Sequence, residues 1–290
     1  MFAQLIVSGL AIGSLYALIA LAMVIIYKTS EVLNFAQGDM AMVSTFIAYM
    51  LLESYHLPFP MAFGLSLLFA VLLGIAIEFL FLRQAENPTI LGLIVITLGC
   101  EMILYGFAAW KWGAEQKSLP FPISDTQVYH VGQVVVSELN LWTFMICILA
   151  MVFLFVFFRY TKVGVAMKAT QQNLISARLM GIRTKRIFSL TWGLSSLIGA
   201  LAGLLIAPIA TLDPNMMLEP LLKGFAAAVL GGMTSLPGAA LGGFILGVTE
   251  NLFGGYVSLE FKSVVAFVII VLILCVRPSG LLARHYVKKV

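Results

Sequence analysis

The chain has 290 residues, 61% of them hydrophobic and only 10% charged, with a formal net charge of +4 and a mean hydropathy of +1.05. That composition excludes a soluble globular domain. The small positive excess reflects how loops are distributed about a membrane, and nothing in it points to nucleic acid.

Apolar stretches of about 20 residues recur along the chain, each long enough to cross a hydrocarbon core as a helix. They predict an all-α, polytopic transmembrane helical bundle, one integral membrane domain over residues 1–290. The first apolar segment is too long for a cleavable signal and lacks a basic leader. Cys100, Cys147 and Cys275 each sit inside an apolar run, so neither a disulfide framework nor metal-ligand spacing is present. His56, His130 and His285 fall in loops and the tail and read as solvated.

In chain order, segment 1 (about 3–26) carries Gly9 and Gly13, four apart, a close-packing pattern for helix pairs. After Lys28, segment 2 opens with a polar cluster, Asn34, Gln37, Gly38 and Asp39, which either caps the helix or lines a path through the membrane. Segment 3 runs from Met61 to Leu82 and ends at Arg83. Segment 4 follows Pro88, reaches Trp110 and carries Thr97, Gly99 and Glu101 near its middle. A polar outside (periplasmic) loop, 111–140, precedes segment 5, Leu141 to Phe158.

The loop 159–186 then gathers seven basic residues (Arg159, Lys162, Lys168, Arg178, Arg183, Lys185 and Arg186) and no acidic one, which places it on the cytoplasmic side. Between Gly164 and Gly181 it reads as a helix, with Ala166, Leu174, Ala177 and Met180 near one face and Lys168, Gln171, Gln172 and Arg178 elsewhere. Gly181 stops it. It is either a solvated loop that fixes topology or a docking element for a cytoplasmic partner.

Segment 6 (187–207) carries Gly199 and Gly203, and the connection 208–220 is acidic, with Asp213 and Glu219. The part from 221 to 254 is discontinuous, broken at Gly231-Gly-Met-Thr-Ser-Leu-Pro-Gly238. Its first half, about 14 residues or ~21 Å, is short of a span. Thr234 and Ser235 ahead of Pro237 start the second half. Segment 8 (about 262–276) leads to the basic tail Arg277, Arg284, Lys288 and Lys289. With the N-terminus outside and the C-terminus inside, 13 of the 17 basic residues lie inside. The count is about eight spans, nine if the short half crosses. Segment 2 and the second half of 221–254 both follow a Gly-containing polar turn, the kind of broken element that marks a transport site.

There is no P-loop, so the chain does not bind ATP by that motif, and no zinc-protease or serine-hydrolase signature. No catalytic residue, cofactor or metal is expected, and energy for any pumping must come from a partner. The intramembrane ionisable groups are Glu78, Glu101, Glu250 and Lys223. Glu78 and Glu250 are expected to reach water at segment ends. Glu101 is either a buried functional group or a neutral carboxyl hydrogen-bonded between helices.

Four motifs carry a family resemblance: V-L-N-F-A-Q-G-D-M at 32–40, G-V-A-M-K-A and A-R-L-M-G-I within 164–182, G-G-M-T-S-L-P-G-A at 231–239, and R-P-S-G-L at 277–281. In this order, over essentially the whole chain, they resemble bacterial branched-chain amino acid ABC importer permeases, the H-type subunit of the Liv system. The resemblance implies a bacterial inner-membrane location and a second permease subunit, copy or paralogue. It also implies two cytoplasmic ATPases and a periplasmic substrate-binding protein that delivers the amino acid. It makes 164–182 the coupling helix, with Gly164, Lys168, Gln172, Leu174, Arg178, Met180 and Gly181 at the ATPase. Asn34, Gln37, Thr97, Glu101, Thr234 and Ser235 are the candidate substrate-pathway residues, although Glu101 departs from the family pattern. The family also includes urea and short-amide permeases. The reading from another class is a stand-alone secondary transporter or channel in which Glu101 carries a proton. A membrane enzyme lacks a nucleophile and base pair.

Overall fold

Helices form wherever the apolar runs predict them. The computed structural model describes residues 1–85, 89–123, 127–131, 134–277 and 279–282. Pro88, Asp125, Arg284, His285, Lys288 and Lys289 lie outside the described residues. The helices are α1 (Phe2–Ser30), α2 (Gln37–Glu53), α3 (Phe59–Ile77), α4 (Ile90–Trp112), α5 (Glu138–Tyr160), α6 (Lys162–Gln172), α7 (Leu174–Leu179), α8 (Thr184–Ala210), α9 (Leu218–Gly231), α10 (Leu236–Tyr256) and α11 (Val264–Val276). Among the described residues, six are long and apolar enough to cross a membrane: α1, α3 with its extension to Leu82, α4, α5, α8 and α10.

The helical bundle carries a small non-helical element, in the polar loop between α4 and α5. The loop 111–140 folds a hairpin, β1 (Val128–Val131) antiparallel to β2 (Val134–Ser137), with Tyr129 opposite Val136 and His130 opposite Val135. Its run of β-branched and aromatic residues favours a pleated ribbon over a helix.

The chain divides into two compact units, the first of Met1–Val24, Ile123–Leu149 and Leu221–Val290, the second of Ile25–Pro122 and Ala150–Pro220. In the first, α9 and α10 lie side by side and antiparallel: Gly231 faces Gly238, Ala227 faces Gly242, and Lys223 reaches Glu250. The interrupted segment is therefore a helical hairpin. α1 packs on α10 through small residues. A Cβ on Gly13 would lie 2.8 Å from the carbonyl oxygen of Gly243 and 3.0 Å from the Cα of Phe244. Backbones come this close only where side chains are absent.

In the second unit α8 is the axis, packed against α2 and α3. Ile26, Ala36, Met40, Ile77, Cys100 and Trp192 form a buried cluster there. Outward faces are apolar, with Leu65, Leu68 and Leu72 on α3 and Leu91, Val95, Met102 and Phe107 on α4 all exposed. Such a face suits lipid tails. A π-helical turn, Glu78–Leu82, ends the α3 span, closed by a 2.8 Å bond from Arg83 N–H to Glu78 O.

Candidate functional site

The basic cytoplasmic-type loop folds as two short helices. α6 begins two residues before Gly164, because Thr161 caps it by accepting from Gly164 N–H at 3.0 Å. The predicted single helix 164–181 is broken at Asn173, whose extended backbone and side chain cap α7 by accepting from Ser176 N–H at 2.9 Å. Asn side chains compete with helical backbone in this way, which ends one helix and starts the next. Gly181, at φ +81°, stops α7 as expected.

The break changes which apolar residues are outside. Ala177 is buried, while Ile175, Leu179 and Met180 are 70%, 82% and 83% exposed. Of the residues predicted from a continuous helix, Met180 is on this edge and Leu174 is half-buried. Ile175 and Leu179 were missed because the change of direction at Asn173 resets the helical phase. Lys168, Gln172 and Arg178 are exposed beside them. This edge is firmly seated. Arg178 Nε donates to Thr184 Oγ1 at 3.2 Å, and Met167 lines a small cleft with Ile25, Lys28 and Phe158. Gly164 abuts the backbone of Phe157 and Phe158.

From α7 a polar chain continues into the helices. Arg83 grips Glu78 with Nη2 at 2.9 Å and Nε at 3.3 Å, and Nη2 also donates to Lys185 O at 3.0 Å. Ser189 Oγ donates to Glu78 Oε2 at 2.6 Å. Glu78, expected to reach water, is instead buried, because Arg83 five residues on folds back over the π-turn to pair with it.

Asn34 and Gln37 are each 1% exposed and form a network with α8. Gln37 Nε2 donates to Ser195 O at 3.2 Å, and Gln37 Oε1 accepts from Ser195 Oγ at 3.0 Å and Asn34 Nδ2 at 3.1 Å. Gly199 leaves the room that the Gln37 amide fills. Asn34 Oδ1 and Ser196 Oγ are buried with no hydrogen-bond partner among the described residues. Ser195 was not singled out in the sequence, although it stands one turn before Gly199 on the same small-residue stripe. Thr97 braces the loop before α2, with its Oγ1 3.4 Å from both Leu33 O and Phe35 N. Glu101, one turn on, is partly buried and within electrostatic reach of Asp39.

Thr234 and Ser235 lie apart from that network in sequence and belong to the first unit. Thr234 is exposed at the tip of the α9–α10 hairpin, and Ser235 caps α10 by accepting from Gly238 N–H at 3.1 Å. The tip also holds the R-P-S-G-L motif: Leu281 N–H donates to Leu230 O at 2.9 Å and Leu282 N–H to Gly231 O at 3.1 Å. Two motifs about 45 residues apart in the chain thus form one contact.

Glu250 was expected to reach water and does not. It is fully buried, and its Oε1 accepts from Lys223 Nζ at 2.5 Å. The hairpin brings a residue 27 positions away to neutralise it, a partnership that a span-by-span reading does not show.

Among the described residues, six helices long and apolar enough to span a bilayer, with buried polar groups paired between helices, define a multi-pass membrane protein. A family model described as "Branched-chain amino acid transport system / permease component" matches residues 5–274. The high-affinity branched-chain amino acid transport system permease protein LivH of Salmonella typhimurium is 31% identical over 303 residues, covering 100% of this chain and 98% of the relative. BraD of Pseudomonas aeruginosa, a permease protein of the same description, is 31% identical over 301 residues at the same coverage. Among solved structures, a chain of PsaBC from Streptococcus pneumoniae in complex with Fab has the same fold. Its TM-score is 0.50 at 12% identity, over 96% of this chain and 92% of that one. The chain belongs to the branched-chain amino acid transport permease family.

Proposed function

We propose that the chain is one of the two permease subunits of an ATP-binding-cassette importer that carries leucine, isoleucine, valine or a related amino acid across the bacterial inner membrane. The relatives' names supply the cargo. The observation that carries the reading is the α6–α7 edge, where Ile175, Leu179 and Met180 stand exposed on a loop with seven basic and no acidic residues. An apolar edge that is neither lipid-covered nor folded away needs a protein to cover it. We assign it to a cytoplasmic ATPase, with Gly164, Lys168, Gln172, Leu174, Arg178, Met180 and Gly181 as the coupling set, joined by Ile175 and Leu179.

Movement of α7 passes to α8 through Arg178 and Thr184, and on to the α3 end through Ser189, Arg83 and Glu78. Such a rigid lever suits alternating access driven by closure of the ATPases. Asn34 and Gln37 with Ser195, Thr97 and Glu101 are the pathway candidates of one unit, Thr234 and Ser235 those of the other. The N-terminus is outside and the C-terminus inside. A second permease and a periplasmic binding protein complete the importer.

The test is uptake of labelled leucine into vesicles holding the assembled importer. Uptake that requires ATP and survives collapse of the proton gradient is expected. Uptake that instead follows the proton gradient identifies a secondary transporter working through Glu101, and uptake of urea or acetamide in place of leucine identifies the amide branch. Leu179→Asp with Met180→Asp is expected to release the ATPases during purification while leaving the permease folded.

A further inference from the structure

The Lys223–Glu250 pair has no part in the coupling edge or the Asn34–Gln37 network. Glu250 is fully buried and Lys223 is 8% exposed. The ammonium also sits over the Tyr16 ring, 5.4 Å from its centroid. Glu250 Oε2 is buried with no hydrogen-bond partner among the described residues. An apolar pair of similar volume holds two helices together at least as well as a buried ion pair, so structure alone is a poor reason for one. Ionisable groups at membrane depth mark function by default.

The pair supplies a cation, an anion and a carboxylate oxygen with no hydrogen-bond partner among the described residues, set between two antiparallel helices. An amino acid zwitterion carries the complementary set, an ammonium and a carboxylate on one carbon. We propose that Lys223 and Glu250 form a closed charge gate that a zwitterionic amino acid opens by exchange, its ammonium taking Glu250 and its carboxylate taking Lys223. This rests on the amino acid importer reading. The exchange replaces one ion pair by two and moves no proton. The spare Oε2 gives the incoming ammonium an acceptor before the existing bond breaks. Glu250 stands six residues from the end of α10 at Tyr256, about 9 Å along the helix. In the proposed orientation that is its outer half, where substrate arrives.

The experiment uses the full importer in proteoliposomes with radiolabelled leucine. The double variant K223M/E250L is expected to assemble and unfold at a temperature close to the unaltered complex. Its ATP-dependent uptake should fall by about tenfold or more, as for the loss of a buried charged contact to a ligand. Uptake within about twofold of the unaltered complex overturns the gate and leaves the pair structural. Should the double variant fail to assemble, E250Q decides: a rise of about fivefold or more in KM for leucine supports the gate, and an unchanged KM overturns it. An unaltered complex that carries no amino acid overturns both the importer reading and the gate. One that carries leucine while the variants match it overturns the gate alone.

Discussion

A Cβ on Gly247 would fall 2.5 Å from the backbone nitrogen of Gly13 and 2.6 Å from the carbonyl oxygen of Gly9. Gly247→Ala is therefore expected to push α10 off α1 and cost about 1–3 kcal/mol, the range for overpacking a tight interior. Gly99 is the control: nothing lies within 4 Å of its Cβ position. Gly99→Ala in the interior of α4 should be neutral or stabilise by about 0.5–1 kcal/mol. Thermal unfolding in detergent separates the two. At this scale the glycines of segment 1 were legible, since the four-residue spacing of Gly9 and Gly13 already marks a close helix contact. The acids were not. Glu78 and Glu250 look like segment-end residues until Arg83 and Lys223 are brought to them by a π-turn and a helical hairpin. The first is a local change from α to π geometry that a hydropathy pattern does not register, and the second is a tertiary contact between residues 27 positions apart. Glu78→Gln leaves Arg83 without its carboxylate while Ser189 and Lys185 O still hold it. We expect a loss of about 1–3 kcal/mol, read by the same unfolding measurement.

Between elements, the joint at Asn173 decides how the α6–α7 edge is presented. Its side chain caps α7, and its extended backbone, φ −157°, turns the chain between α6 and α7. Asn173→Ala removes the cap, which costs about 1 kcal/mol. It also replaces a helix breaker with the best helix former. The expected result is a straighter α6–α7 with Ile175 and Leu179 rotated off the exposed edge, seen as weaker ATPase co-purification with unfolding temperature nearly unchanged. Co-purification equal to the unaltered chain would show that this edge is not where the ATPase sits. The segment was easy to single out in the sequence, because seven basic residues without an acid stand out in a chain this apolar. Its apolar face was misjudged, because a periodicity count assumes one continuous helix, and a polar residue that both ends and begins a helix breaks that assumption.

The order of helices was readable from hydropathy, but the number of crossings was not, because α9 and α11 are too short to declare themselves. The tail and the hairpin tip constrain the answer together. Leu281 and Leu282 are bonded to Leu230 and Gly231, so we expect them to share one side of the membrane with the turn after α9. α10, with 21 residues, is about 32 Å long and spans fully. α11 then returns over 13 residues toward the tip it binds. We expect the α9–α10–α11 run to make three passes, which brings the expected total to nine. Single-cysteine reporters test this once Cys275, exposed on α11, is replaced by serine. With a membrane-impermeant maleimide, Asn215→Cys should label in intact spheroplasts, whereas Met180→Cys and Thr234→Cys should label only after permeabilisation. If Thr234→Cys labels from outside while Met180→Cys does not, the hairpin tip and the coupling edge face opposite sides and the nine-pass arrangement is wrong. If Met180→Cys labels from outside, no cytoplasmic ATPase can grip α7, and the proposed importer loses its motor contact.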